Sequence, residues 1–272
     1  MNKLWEFASY NLWLLFSPPV GQEAWHCDRK RGYTKAKKKE AAVKALLERD
    51  TEWQRIGLLG QKGVYEFHQN LALLQHPDGV NRVAEILELE KEADEVQRRV
   101  GAILSDYRKN PFLSTKKIVK LARGDEGFPE PIVIRQGDFV FNLYAAIDCI
   151  VEEADGTLHV IDLKTGTSEP DRRQALVYLL ACQYLYPDRS AIASFYNLET
   201  GEGTEPISAN PNQLNAIQRQ LATIAKRHQD ELKRYRWNHD AFDEIYPANP
   251  HFNCKYCIFN PICKFSTVER AA

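Results

Sequence analysis

The residues of this 272-residue chain that could do chemistry concentrate between Asp148 and Tyr178. Two apolar runs flank Asp155-Gly156, a hairpin signal. Asp148 ends the first run and Asp162 the second, so the two carboxylates can meet at one end of a sheet. Strand side chains alternate, so Asp162 and Lys164 share a face while Leu163 points the other way. Two carboxylates can hold a hard divalent cation, and a lysine on the same edge can orient or activate a water. A metal-dependent phosphodiester hydrolase needs that set. Alone, Asp162-Leu-Lys164-Thr-Gly also fits an exposed turn with a surface ion pair. The conjunction with Gln174 and Tyr178, at i, i+4 spacing on one face of the next helix, favours the chemical reading.

These residues resemble the motifs of the PD-(D/E)XK nuclease superfamily, specifically its RecB-like branch. There an Asp closes one strand, an Asp/Glu-x-Lys closes the next, and a Gln-x-x-x-Tyr helix follows. Asp148, Asp162, Lys164, Gln174 and Tyr178 match in order. The resemblance implies an α/β restriction-endonuclease-like core, a central mixed β-sheet flanked by helices. It also implies Mg²⁺ or Mn²⁺ held by Asp148, Asp162 and the Leu163 backbone carbonyl, with Lys164 as the catalytic lysine. The branch carries a Gly-x-x-x-His element on an early helix, whose His joins the metal. Here Gly63-Val-Tyr-Glu66-Phe-His68 is one residue longer, so His68 or Glu66 is the candidate extra ligand. Ala145 stands where a Gly is common, three residues before the first Asp.

A second resemblance lies in the cysteines. Cys254-Lys-Tyr-Cys257 and Cys263 close the chain, and a lone Cys27 lies far upstream, flanked by Trp25 and Tyr33. This is similar to the four-cysteine nucleases of the same branch, including CRISPR-adaptation and AddB-type enzymes. In those, one early and three late cysteines hold a 4Fe–4S cluster that clasps the ends of the domain. Thiolates at this spacing suit a cubane cluster. A structural Zn²⁺, completed by His26 or His251, is the alternative. Cys149 and Cys182 sit in apolar strand and helix patterns and read as buried small hydrophobes.

Composition sets bounds. With 44% hydrophobic and 27% charged residues, this is an ordinary globular chain. Six cysteines without a secretory leader argue for metal or reduced thiols over disulfides. No apolar run reaches membrane-spanning length, and the Leu4 to Phe16 stretch reads as core structure. The expected location is the cytoplasm. The net charge of −1 leaves phosphate attraction to local patches. Candidates are Arg29-Lys30-Arg31 with Lys35, Lys37, Lys38 and Lys39, then Lys116, Lys117, Lys120 and Arg123, and Arg172-Arg173.

Periodicity predicts helices over 36–56, 57–74 and 80–109, a loose connection over 112–130, and strands from Pro131 onward. The Ile132, Phe139–Ile147 and Leu158–Leu163 runs are expected in one mixed sheet. A helix over 171–186, a strand over Ala191–Asn197 and a long helix over Pro211–Trp237 follow. Three parts of one integrated domain result: a helical 1–130 with the first cysteine, a nuclease core over 131–210, and 211–272 with the cysteine clasp. The expected function is a metal-dependent DNA nuclease, an exonuclease on single strands or ends. It would serve repair, recombination or CRISPR-type processing, with a helicase or CRISPR-adaptation partner. Tyr178 could contact the backbone or stack on a base. The alternatives are a catalytically inactive nuclease-fold module that binds DNA and, last, an iron–sulfur electron carrier.

Overall fold

The computed structural model describes residues 2–3, 7–8, 16–18, 21 and 23–266. Most of the apolar N-terminal stretch, and the Trp25 side chain, lie outside the described residues. The chain divides into two compact units, one of 51–132 with 144–217 and one of 1–50, 133–143 and 218–272. Among the described residues, no helix is long and apolar enough to cross a membrane.

The unit of 51–132 and 144–217 is built on a five-stranded mixed sheet. Its strands are β3 (Lys117–Leu121), β6 (Cys149–Glu152), β7 (Leu158–Lys164), β8 (Ala191–Asn197) and β9 (Glu202–Gly203), side by side in that order. The hairpin β6–β7 turns at Gly156, whose φ of +86° suits glycine, while Asp155 Oδ1 accepts the Thr157 amide at 2.9 Å. Strand β7 then runs parallel to β8. Helix α7 (Arg172–Leu185) makes the crossover that a parallel pair requires.

Helix α3 (Glu52–Gln69) starts at a capping box: Gln54 N donates to Thr51 Oγ1 and Thr51 N to Gln54 Oε1. Its buried stripe is Ile56, Leu59, Gly60, Gly63, Val64 and Phe67, the i, i+3, i+4 face of an amphipathic helix. Helix α6 (Asp94–Lys109) packs on it through Val100, Ile103 and Leu104. A Cβ on Gly63 would lie 2.2 Å from Leu104 Cδ2, so glycine is what lets the two helices approach.

The other unit has its own core, Tyr33, Val43, Tyr235, Phe242, Ile245, Tyr246 and Phe259. It contains α1 (Asp28–Lys35), α2 (Ala41–Leu47) and most of α8 (Pro211–Trp237). It also holds a small sheet in which β5 (Phe139–Tyr144) pairs with β1 (Asn2–Lys3), β2 (Phe7–Ala8) and β4 (Ile132–Gln136).

Several expectations are corrected here. The 132–136 and 139–144 strands belong to this second sheet, not to the sheet of Leu158–Lys164. Periodicity marks a strand but not its partner, because pairing is a long-range choice. Asp148 precedes a separate short strand rather than closing a long one. The loose connection over 112–130 contains β3, an edge strand of alternating half-burial that carries weak hydrophobic contrast. The 36–56 pattern breaks before Thr51. Beyond the short α4 (Ala72–Gln75), the 80–109 pattern splits at Glu88, whose φ of +53° is left-handed, into α5 (Gly79–Ile86) and α6.

Candidate active site and cysteine cluster

The hairpin register pairs Cys149 with Ile161, so the next position along brings Asp148 to the same sheet end as Asp162. The Leu163 amide donates to Asp148 Oδ2 at 2.8 Å, which locks the first carboxylate onto the second strand. Asp162 is 3% exposed. Its Oδ1 accepts the Tyr178 hydroxyl at 2.6 Å and Gln174 Nε2 at 3.2 Å, and its Oδ2 lies 2.6 Å from Lys164 Nζ. Gln174 Oε1 accepts Lys164 Nζ at 3.1 Å, and Gln174 Nε2 also donates to the Tyr178 oxygen at 2.7 Å. The structure therefore brings Asp148, Asp162, Lys164, Gln174 and Tyr178 into one contact network. Gln174 and Tyr178 reach it because they stand one turn apart on the buried face of α7.

Electrostatics follow from burial. Desolvation and, next, the Asp162 charge push the Asp148 carboxyl well above the usual carboxylate range. Leu163 N–H, the Lys164 ammonium and the Gln61 side chain offset part of that. Burial likewise holds the Tyr178 phenol far above its ordinary value, so it stays a neutral donor. Two carboxylates crowded against one ammonium are a donor set short of positive charge, and a hard divalent cation fits that deficit. Among the described residues, no three His, Cys, Asp or Glu side chains are gathered to hold a metal.

Neither candidate for the extra ligand is bonded to this network. His68 Nε2 lies 2.6 Å from the Tyr107 hydroxyl, and burial lowers the His68 pKa. Glu66 lies 3.7 Å from the Arg123 guanidinium. The α3 residue that acts on a carboxylate is Gln61, whose side chain offsets part of the rise in the Asp148 pKa while its Nε2 donates to the Ala122 carbonyl at 3.2 Å. Sequence reasoning missed it because Gly63 drew attention to the residues after it. The available signal was a polar Gln61 between the buried Gly60 and Gly63.

The four candidate cluster cysteines lie in the other unit. Cys27 directly precedes α1, Cys254 lies within the 3-10 turn Phe252–Tyr256, and Cys257 directly follows it. All four candidate thiols are half-buried, whereas Cys149 and Cys182 are fully buried. Burial raises the Cys257 thiol, and the Cys27 and Cys254 sulfurs both act on it electrostatically. His251 N–H donates to Cys254 Sγ at 3.4 Å. Soft sulfur donors are the kind that iron–sulfur or zinc centres use, but among the described residues no three of these side chains are gathered to hold a metal. His251 Nδ1 accepts Asn253 N at 3.2 Å, and His26 lies 3.4 Å from Asp28. The ends that the cysteines would clasp are already tied: Asn249 Nδ2 donates to the Ala24 and His26 carbonyls, and Arg29 pairs with Asp243 at 2.8 Å.

The candidate DNA-contacting residues divide. Arg29 and Arg31 are 2% and 1% exposed, so they do not present charge to a strand; Arg31 is held by Asp28 and Glu231. Lys30 is half-buried and Arg172 exposed, while Arg173 pairs with Asp171 at 2.6 Å. Tyr178, 2% exposed, has no face open to a base.

A family model described as the PD-(D/E)XK nuclease superfamily matches residues 25–264. The chain belongs to the PD-(D/E)XK nuclease superfamily. Its mixed five-stranded sheet with flanking helices is the restriction-endonuclease-like α/β core. Membership assigns it to a superfamily of nucleases, hydrolases of nucleic-acid phosphodiester bonds. No curated protein matches the chain. A solved structure titled "Crystal structure of SSO0001" matches 77% of this chain and 96% of its own, at 17% identity and a TM-score of 0.31.

Proposed function

We propose that this superfamily member is a RecB-like DNA nuclease dependent on Mg²⁺ or Mn²⁺, acting on single strands or free ends. A 4Fe–4S cluster on Cys27, Cys254, Cys257 and Cys263 would brace its other unit. The observation that carries the reading is the contact network of Asp148, Asp162, Lys164, Gln174 and Tyr178. Asp148, Asp162 and the Leu163 carbonyl would hold the cation. When bound, the cation polarises the scissile phosphate and lowers the pKa of water.

The chain's own residues do the positioning. Tyr178 and Gln174 hold Asp162 in one orientation, Leu163 N–H holds Asp148, and the Gln61 side chain favours the Asp148 carboxylate. Lys164 is 34% exposed at its side chain while its Asp162 partner is almost wholly buried. Its ammonium has three N–H groups. One faces Gln174 and one faces Asp162, which leaves a third for an attacking water or a phosphate oxygen whose charge grows in the transition state. Recombination repair and CRISPR adaptation are the settings the resemblance offers, with a helicase or adaptation protein as partner.

The test is cleavage of labelled single-stranded and duplex DNA by anaerobically purified protein, with Mg²⁺ or Mn²⁺, beside Lys164→Ala. Metal-dependent cleavage lost in the variant supports the reading. A folded protein that binds DNA without cutting it would instead make this a binding module. Activity surviving in Lys164→Ala would mean the site is wrong. Iron and zinc content of the same preparation decides the identity of the cysteine-bound metal.

A further inference from the structure

The network has no aromatic face for a nucleotide, yet one is held beside it. Trp53, in the first turn of α3, is 64% exposed. A lone exposed apolar side chain is ordinary; this one is anchored. The Arg99 guanidinium lies 4.2 Å from the Trp53 ring centroid. Arg99 is itself fixed by a two-pronged pair with Glu199, at 2.7 and 2.6 Å. Glu199 also accepts the Gly166 amide, and Asn197 Nδ2 donates to the Gly166 carbonyl at 2.7 Å. Gly166, at φ +82°, is two residues past Lys164, and a Cβ there would touch Trp53 Cζ3 at 4.0 Å. Thr165 Oγ1 lies against Gly57, one turn along α3. The indole is thus fastened to the turn that leaves the catalytic lysine.

We propose that Trp53 is a stacking platform for an unpaired base of the DNA strand beside the scissile phosphate. This rests on the nuclease reading and narrows its substrate to strands with unstacked bases. The Arg99 charge is matched by Glu199, so the platform offers a ring face rather than a phosphate contact. A ring face accepts any base, and a base inside a duplex is already stacked on its neighbours. Because Arg99 holds one face of the indole, binding does not have to order the side chain.

The experiment measures binding of fluorescent oligo-dT, an abasic strand of equal length and a blunt duplex. It uses Lys164→Ala protein, so that nothing is cut, with and without Trp53→Ala or Trp53→Phe. Loss of one stacking contact, about 1–3 kcal/mol, corresponds to a roughly 5- to 150-fold weaker oligo-dT complex. Trp53→Ala should show that loss, fall to the affinity of the abasic strand and bind duplex unchanged. Trp53→Phe should recover most of it. Equal oligo-dT affinity with and without the indole, or an equal loss for the abasic strand, overturns the platform. Cleavage by the protein with Lys164 intact is assayed in parallel. Cleavage with no Trp53 effect rejects the platform alone, whereas absent cleavage rejects the nuclease reading.

Discussion

Tyr178→Phe tests whether the hydroxyl, rather than the ring, does the work at this site. The change deletes a single oxygen from a side chain that is 2% exposed, so the ring packing is kept. That oxygen donates to Asp162 Oδ1 at 2.6 Å and accepts from Gln174 Nε2 at 2.7 Å. After the substitution, Oδ1 keeps only Gln174 Nε2, at 3.2 Å. A buried hydrogen bond to a charged group contributes about 1.5–3 kcal/mol. At about 2–4 °C per kcal/mol for a chain of this size, a loss near 2 kcal/mol lowers Tm by roughly 4–8 °C. Calorimetry without divalent metal measures that term. Cleavage should persist at saturating Mn²⁺, with more metal needed for half-activation, because Asp162 is less firmly held. An unchanged Tm would refute the claim that this hydroxyl stabilises the buried carboxylate. An unchanged metal requirement would refute the claim that it positions a ligand.

Four further outcomes are expected. Gln61→Ala should lower cleavage at least tenfold while His68→Ala leaves it within a few-fold; nuclease rates of the two variants reverse if His68 serves the site. Gly63→Ala puts a methyl against Leu104 and should cost about 1–3 kcal/mol by overpacking, read from urea unfolding. Arg31→Met leaves Asp28 and Glu231 facing no buried cation and should destabilise its unit by about 3–5 kcal/mol, seen by thermal melting. His228 is fully buried near Arg31, and burial first, then the Arg31, Lys35 and Arg227 charges, lowers its pKa to about 2. Its folded pKa lies below the unfolded value near 6.5, so its contribution is complete above pH 6.5 and is lost as pH falls toward 2. The stability difference between wild type and His228→Gln should therefore change by up to about 1.4 kcal/mol per pH unit between pH 6 and 4.5. A flat difference would show that His228 is protonated in the fold.

Local pattern was enough for the elements that carry their own signals. Asp155-Gly156 marks the hairpin, and alternation over Leu158–Lys164 marks the strand. The Arg172–Leu185 and Pro211–Trp237 helices read directly from apolar spacing. The ordered types at Asp148, Asp162, Lys164, Gln174 and Tyr178 were legible for the same reason, since each is set by its position on a strand end or helix face. What needed the tertiary structure was every choice between distant partners. Ile132–Gln136 and Phe139–Tyr144 look like any strands, yet they pair in a second sheet, because the ladder is decided by what else the chain brings alongside. Gly63 reads as part of a ligand motif, and the fold adds a packing demand there, the close approach of Leu104. Arg29 and Arg31 read as a basic patch, but carboxylates from residues far along the chain pull both inside. Trp53 carries no sequence signature, and Gln61 only that of a polar residue between two glycines. Their meaning comes from helix α3 crossing the end of strand β7, a juxtaposition that only folding creates.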